Sequence, residues 1–182
     1  MLHALTDDPL PTFRYYPGPL ADQTIEPSQI ECAACGRTRG CIVTSTAYGA
    51  DVPDDARFCP WCIADGSAHR LYGVTFNEVE AGAAPEAIAE VEQRTPGFVT
   101  WQDWAWPTHC EDVGVYLGQP PSEELRANRE AYDALLADIA QWDWGRDMDY
   151  VRDFIDGLGG SQVAYLFECP RCSKQLLRWD ID

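Results

Sequence analysis

Three Cys-x-x-Cys pairs constrain this chain more than any other feature: Cys32-Ala33-Ala34-Cys35, Cys59-Pro60-Trp61-Cys62 and Cys169-Pro170-Arg171-Cys172. Paired spacing of this kind suits metal chelation better than a framework of scattered disulfides. Residues 36–58 separate the first two pairs. At that separation, four thiolates can reach the corners of one tetrahedron, which is the geometry of a structural zinc ion. Cys32, Cys35, Cys59 and Cys62 are therefore expected to form one closed site. Four thiolate ligands leave no open position, so such an ion holds segments together and does no chemistry.

The third pair supplies only two ligands, so a second ion needs partners from elsewhere. His109 and Cys110 are the best candidates, although adjacent residues seldom both reach one ion. Cys41 and His69 are rivals for the set. A water in the fourth position would instead make a candidate catalytic zinc. A metal-free dithiol is a third reading. A strand-like run, Gln175-Leu176-Leu177-Arg178-Trp179, follows the pair, where a thioredoxin-like site would place a helix. Asp103, Glu111 and Asp112 flank this second site, and in so acidic a chain they read as surface carboxylates.

The 182 residues suit one domain, and the net charge of −17 would repel a nucleic acid at long range. The segment from Ser28 to Gly66 is not basic either: Arg37, Arg39 and Arg57 face Glu31, Asp51, Asp54, Asp55 and Asp65. Met1 to Pro11 lacks the basic and apolar regions of a secretory leader, and no apolar run is long enough to span a membrane. The expectation is a cytoplasmic protein with reduced thiols.

Four segments follow in order. Residues 1–24 read as an extended arm, because Pro9, Pro11, Pro17 and Pro19 block helix. Phe13, Tyr15 and Tyr16 are expected to pack across the domain surface, with the residues before Pro9 frayed. Residues 25–72 read as a zinc-ribbon-like module: a knuckle at Cys32–Cys35 relaxed by Gly36, a β-branched strand over 41–48, a turn, and the second knuckle. Residues 73–160 hold a helix over Pro85–Arg94, a run containing Trp101, Trp104 and Trp106 expected to be core, and a helical hairpin. The hairpin comprises one long helix from Pro120 to Trp142, capped by Ser122, and a second from Arg146 to Leu158 ended by Gly159-Gly160. Residues 161–182 form a β-hairpin closed by the third knuckle. The fold class is α+β.

With these residues in view, the sequence resembles the CbrC family, a bacterial family associated by name with colicin tolerance. The resemblance rests on Leu10-Pro11-Thr12-Phe13-Arg14-Tyr15 with Pro17, on Cys32-Ala33-Ala34-Cys35-Gly36, and on Phe58-Cys59-Pro60-Trp61-Cys62 through Ala68. It continues through Thr95-Pro96-Gly97-Phe98, Trp101-Gln102, Trp106-Pro107-Thr108-His109-Cys110 and Phe167-Glu168-Cys169 to Cys172. It covers nearly the whole chain and implies one intact family member, but no reaction. Cys41 and His69 lie outside the pattern.

No phosphate-binding glycine loop and no nucleophile elbow is present, and no catalytic residue is assigned. The functional expectation is a zinc-stabilised, non-catalytic protein with two zinc ions per chain that acts by binding another protein. The alternative is a zinc-dependent hydrolase built around Cys110, Cys169 and Cys172.

Overall fold

The computed structural model describes residues 8–100, 102, 105–142 and 147–181. The central layer is a three-stranded antiparallel sheet, β5 (Val115–Gly118), β6 (Gln162–Glu168) and β7 (Gln175–Ile181), in the order β5-β6-β7. Successive side chains of a strand point to opposite faces. In β6, Val163, Tyr165 and Phe167 accordingly enter one apolar cluster, while Ala164 and Leu166 enter another. A middle strand buried on both faces reads as an unbroken apolar run, which is what Val163–Phe167 is.

On the first face sits an aromatic core. Phe98 stacks on Tyr116 of β5 with ring centroids 4.4 Å apart. Trp106, which has no exposed surface, meets Phe167 edge-on. Tyr16 reaches Tyr116 at 5.0 Å. Offset and edge-on contacts of this kind suit the ring quadrupoles and add to the burial of apolar area. The Pro-rich segment differs from the surface arm expected: Phe13, Tyr15 and Tyr16 are all in this core. Tyr15 O also accepts a backbone bond from Tyr116 N at 2.8 Å, so the segment runs against β5. Proline rules out helix but says nothing about burial, and the aromatic residues decide it. Residues 1–7, Trp101 and Trp104 lie outside the described residues.

The opposite face carries α5 (Arg129–Ile139) and α6 (Met148–Asp156), which bury Leu135, Ile139, Val151, Phe154 and Ile155 against Leu177 and Trp179. The long helix expected over 120–142 is instead two: α4 (Ser122–Ala127) ends at Asn128 and α5 begins after it. Asn128 leaves the helical region, with φ −92° and ψ 90°, and its side chain accepts from Ala131 N. An asparagine side chain that satisfies a helix start competes with a continuous helix through the same residue. Pro121, not Ser122, is the N-cap of α4. Asp147 caps α6, and Gly157 rather than Gly159-Gly160 ends it. The expected link at 143–145 lies outside the described residues.

The remaining elements hang on the aromatic core. β1 (Ile25–Pro27) pairs with β2 (Cys41–Val43). The strand expected to continue through Tyr48 stops at Val43; Tyr48 bridges Thr75 outside any of the strands. α1 (Pro60–Ala64) and α2 (Ser67–Tyr72) follow, then α3 (Pro85–Arg94), started by Pro85 and stopped before Thr95-Pro96-Gly97. β3 (Thr108–His109) and β4 (Asp112–Val113) form a short hairpin leading into β5. No helix among the described residues is long and apolar enough to cross a membrane.

Candidate metal centres

The fold brings Cys32, Cys35, Cys59 and Cys62 together, with their sulfurs within 4.8 Å of one another. Cys32 and Cys35 sit on a tight loop. Gly36 N donates to Cys32 O at 2.8 Å, and Cys32 N donates to Arg37 O at 3.0 Å. Gly36 has φ 63°, a conformation glycine adopts without a Cβ clash. Cys59 and Cys62 stand at the start of α1, where Cys59 is the N-cap and Pro60 the first helical residue. Cys59 N points at Cys32 Sγ at 3.3 Å, so the helix start donates to the sulfur of the other pair. Ala33 N also donates to Arg57 O at 2.9 Å, and Tyr72 Oη to Ala33 O at 3.0 Å. Cys32, Cys59 and Cys62 are buried, whereas Cys35 reaches the surface.

These sulfurs lie close enough to perturb one another's ionisation. The Cys59 thiol beside Cys32 lowers the Cys32 pKa against the cost of burial, helped by backbone N–H groups of Cys59, Cys35 and Ala34. Cys59 is raised by the same contact, and burial pushes Cys62 up to about 11. Four sulfurs packed this closely compete for protons, and a divalent cation removes that competition. Arg39 lies beside the cluster, with its guanidinium 4.0 Å from the Trp61 ring centroid. Trp61 Nε1 in turn donates to Pro9 O at 2.9 Å. No local signal in the sequence marks Arg39 for this position.

The second cluster contains His109, Cys110, Cys169 and Cys172, again within 4.8 Å of one another. Its Cys-x-x-Cys loop repeats the hydrogen bonding of the first: Ser173 N donates to Cys169 O at 2.9 Å, and Cys169 N donates to Lys174 O at 2.9 Å. The other two donors come from the β3–β4 turn. His109 pairs with Asp112, so only Cys110 and Glu111 form the turn, with φ 53° and 57°. Two successive left-handed residues make a type I′ turn, which usually takes Asn-Gly. This backbone overcomes the usual difficulty of adjacent ligands. It turns Cys110 Sγ to 3.2 Å from its neighbour's Nδ1. Cys172 Sγ lies 3.4 Å from the same nitrogen and 3.7 Å from Cys110 Sγ. That sulfur separation matches the edge, ~3.8 Å, of a tetrahedron whose centre lies ~2.3 Å from each sulfur.

Both donor sets could therefore hold a metal ion. The rivals for the second cluster lie elsewhere. Cys41 is buried in β2 and pushed up to about 11 by desolvation. His69 Nδ1 is 2.8 Å from Val74 O, just beyond the end of α2. Asp112 is not the surface carboxylate expected: it is buried, accepts from Tyr15 Oη at 2.7 Å, and pairs with Arg14 and Arg171. It thereby ties the N-terminal segment to the loop that carries Cys169 and Cys172. Asp103 lies outside the described residues. Away from both clusters, a cleft of about 550 Å³ is lined by residues that include Ser45, Phe76, Glu78 and Glu92. Burial and the nearby Glu78 hold Glu92 above the usual carboxylate range. Sequence reasoning did not single these residues out, because they meet only through the fold.

No solved structure matches the chain. A UPF0167 protein of Pseudomonas aeruginosa is 36% identical over 96% of this chain and 97% of its own length. A UPF0167 protein of Mycobacterium bovis, and another of Mycobacterium tuberculosis, are each 34% identical over 94% of this chain and 93% of their own length. The family model that matches, over residues 10–181, is that of UPF0167, described as an uncharacterised protein family. This corrects the assignment to the CbrC family, and the association with colicin tolerance falls with it. On a match that spans both cysteine clusters and the three-stranded sheet, the chain belongs to the family UPF0167.

Proposed function

We propose that this protein is a non-catalytic, zinc-stabilised scaffold that carries two zinc ions and acts by binding another protein. The observation that carries this reading is that each cluster gathers four donors from two distant segments. Residues 32–35 meet residues 59–62 in a zinc-ribbon-like module, and residues 169–172, which join β6 to β7, meet residues 109–110. A four-donor sulfur-rich set suits zinc and leaves no position for a reacting water. Each ion would clamp two distant segments onto each other, in the way metal binding contributes to folding small modules. His109 supplies the fourth donor at the second cluster, which favours this reading over a hydrolase with three ligands and a water.

A scaffold without an open metal position works through the surface it presents. With a net charge of −17, that surface suits a protein better than a nucleic acid. A cytoplasmic setting, where thiols stay reduced, fits eight free cysteines. Elemental analysis of protein purified under reducing conditions tests the core of the reading. Two zinc ions per chain are expected; none would overturn it. One zinc that is lost in Cys59→Ser but kept in His109→Ala would remove the second site alone.

A further inference from the structure

The two clusters differ in how solvent reaches them. In the first, Cys32, Cys59 and Cys62 are buried, and Cys35 is the one exposed cysteine of the four. In the second, Cys110 and Cys172 are both exposed, whereas Cys169 has no exposed surface. The two exposed sulfurs are also neighbours, 3.7 Å apart, although 62 positions separate them in sequence. Cys169 faces inward instead, with Sγ 3.6 Å from His109 O. A thiolate reacts with an oxidant according to its access to solvent, and a second thiol within reach converts the first product to a disulfide.

We propose that Cys110 and Cys172 form a peroxide-sensitive oxidation site whose closure to a disulfide releases the metal of the second cluster. The inference rests on the zinc reading only for the metal released. One of the two thiolates attacks a peroxide oxygen: an S–O bond forms, the O–O bond breaks, and the leaving oxygen departs as water after taking a proton. The other thiolate then attacks that sulfur, and the S–O bond breaks with loss of hydroxide, which a second proton converts to water. In sum, two thiolates, one hydrogen peroxide and two protons give one disulfide and two waters. Two of the four donors are consumed, leaving His109 and Cys169, which are too few to hold a structural zinc. The new bond joins the β3–β4 turn to the Cys169–Cys172 loop, so oxidation exchanges a metal clamp for a covalent one.

The competing product is a disulfide between Cys169 and Cys172, the two members of the sequence pair. It is disfavoured because Cys169 is buried beneath the turn. Full-length protein is treated with hydrogen peroxide, zinc release is followed with a chromogenic chelator, and the linked peptides are mapped without reduction. The expected result is release of one zinc of two, loss of two hydrogens by mass, and one crosslink, Cys110 to Cys172. A reducing thiol with added zinc should reverse all three. A Cys169–Cys172 crosslink, a crosslink among Cys32, Cys35, Cys59 and Cys62, or no crosslink would overturn the proposal. Zinc content measured before oxidation separates its failure from that of the zinc reading, because the crosslink is mapped whether or not metal is bound.

Discussion

Gly36 and Ser173 hold equivalent places in the two Cys-x-x-Cys loops. Each follows the second cysteine, each has a positive φ (63° and 59°), and each N–H donates to the carbonyl of the first cysteine, at 2.8 and 2.9 Å. One loop has the residue suited to this conformation, and the other does not. A non-glycine residue in the left-handed region costs ~1–2 kcal/mol. Ser173→Gly should therefore stabilise the protein by about 1 kcal/mol, and Gly36→Ser should destabilise it by a similar amount. Thermal unfolding of the two variants beside the parent checks the opposite signs.

Metal content should separate the clusters. Cys59→Ser removes a buried sulfur ligand while keeping the backbone N–H that donates to Cys32 Sγ, so the first zinc should be lost with a marked fall in melting temperature. His109→Ala should lower the zinc count by one and leave the first site filled. Unchanged zinc in Cys59→Ser would refute the four-cysteine assignment.

Chelation should proceed in two phases. Cys110 and Cys172 are open to solvent, while Cys32, Cys59 and Cys62 are covered. A competing chelator should strip the second site first, and the fast phase should vanish in His109→Ala. Release of both ions at one rate would contradict the difference in access.

Gly97 tests the packing between the aromatic core and its neighbouring loops. A Cβ there would lie 2.7 Å from Phe76 O, a backbone atom, and 3.2 Å from Ser45 Cβ. Gly97→Ala should cost ~1–3 kcal/mol through overpacking. Denaturant unfolding measures it, and a neutral result would mean that the loop shifts freely.

Asn77 fastens the same region. Its Nδ2 donates to Val91 O and Thr95 O, each at 2.8 Å, and its Oδ1 accepts from Trp106 Nε1 at 2.9 Å. Asn77→Ala strands three polar groups beside a buried tryptophan. At ~1–3 kcal/mol for each buried group left unsatisfied, the loss should exceed that of an ordinary surface change. Denaturant unfolding with tryptophan fluorescence reads both the loss and any change around Trp106.

Local chemistry was legible in the chain itself. The cysteine pairs, the helix opened by Pro85, the apolar run of β6 and the stripe of α5 all follow from spacings of a few residues, and spacing is a property of sequence. The break at Asn128 is not settled by sequence, because an asparagine side chain can face solvent in a helix or cap the next one, and packing chooses between them. Spacing along the chain supplies the stock of donors and the mixture of helix and strand. Tertiary structure decided their meeting. Pairing of Val115 with Glu168 places the end of β6 beside β5, into which the β3–β4 hairpin leads, and two left-handed residues then aim neighbouring side chains at one point. It also decided that Tyr15 and Tyr16 belong to the core, because burial depends on what the rest of the chain brings against a residue and not on the residue alone.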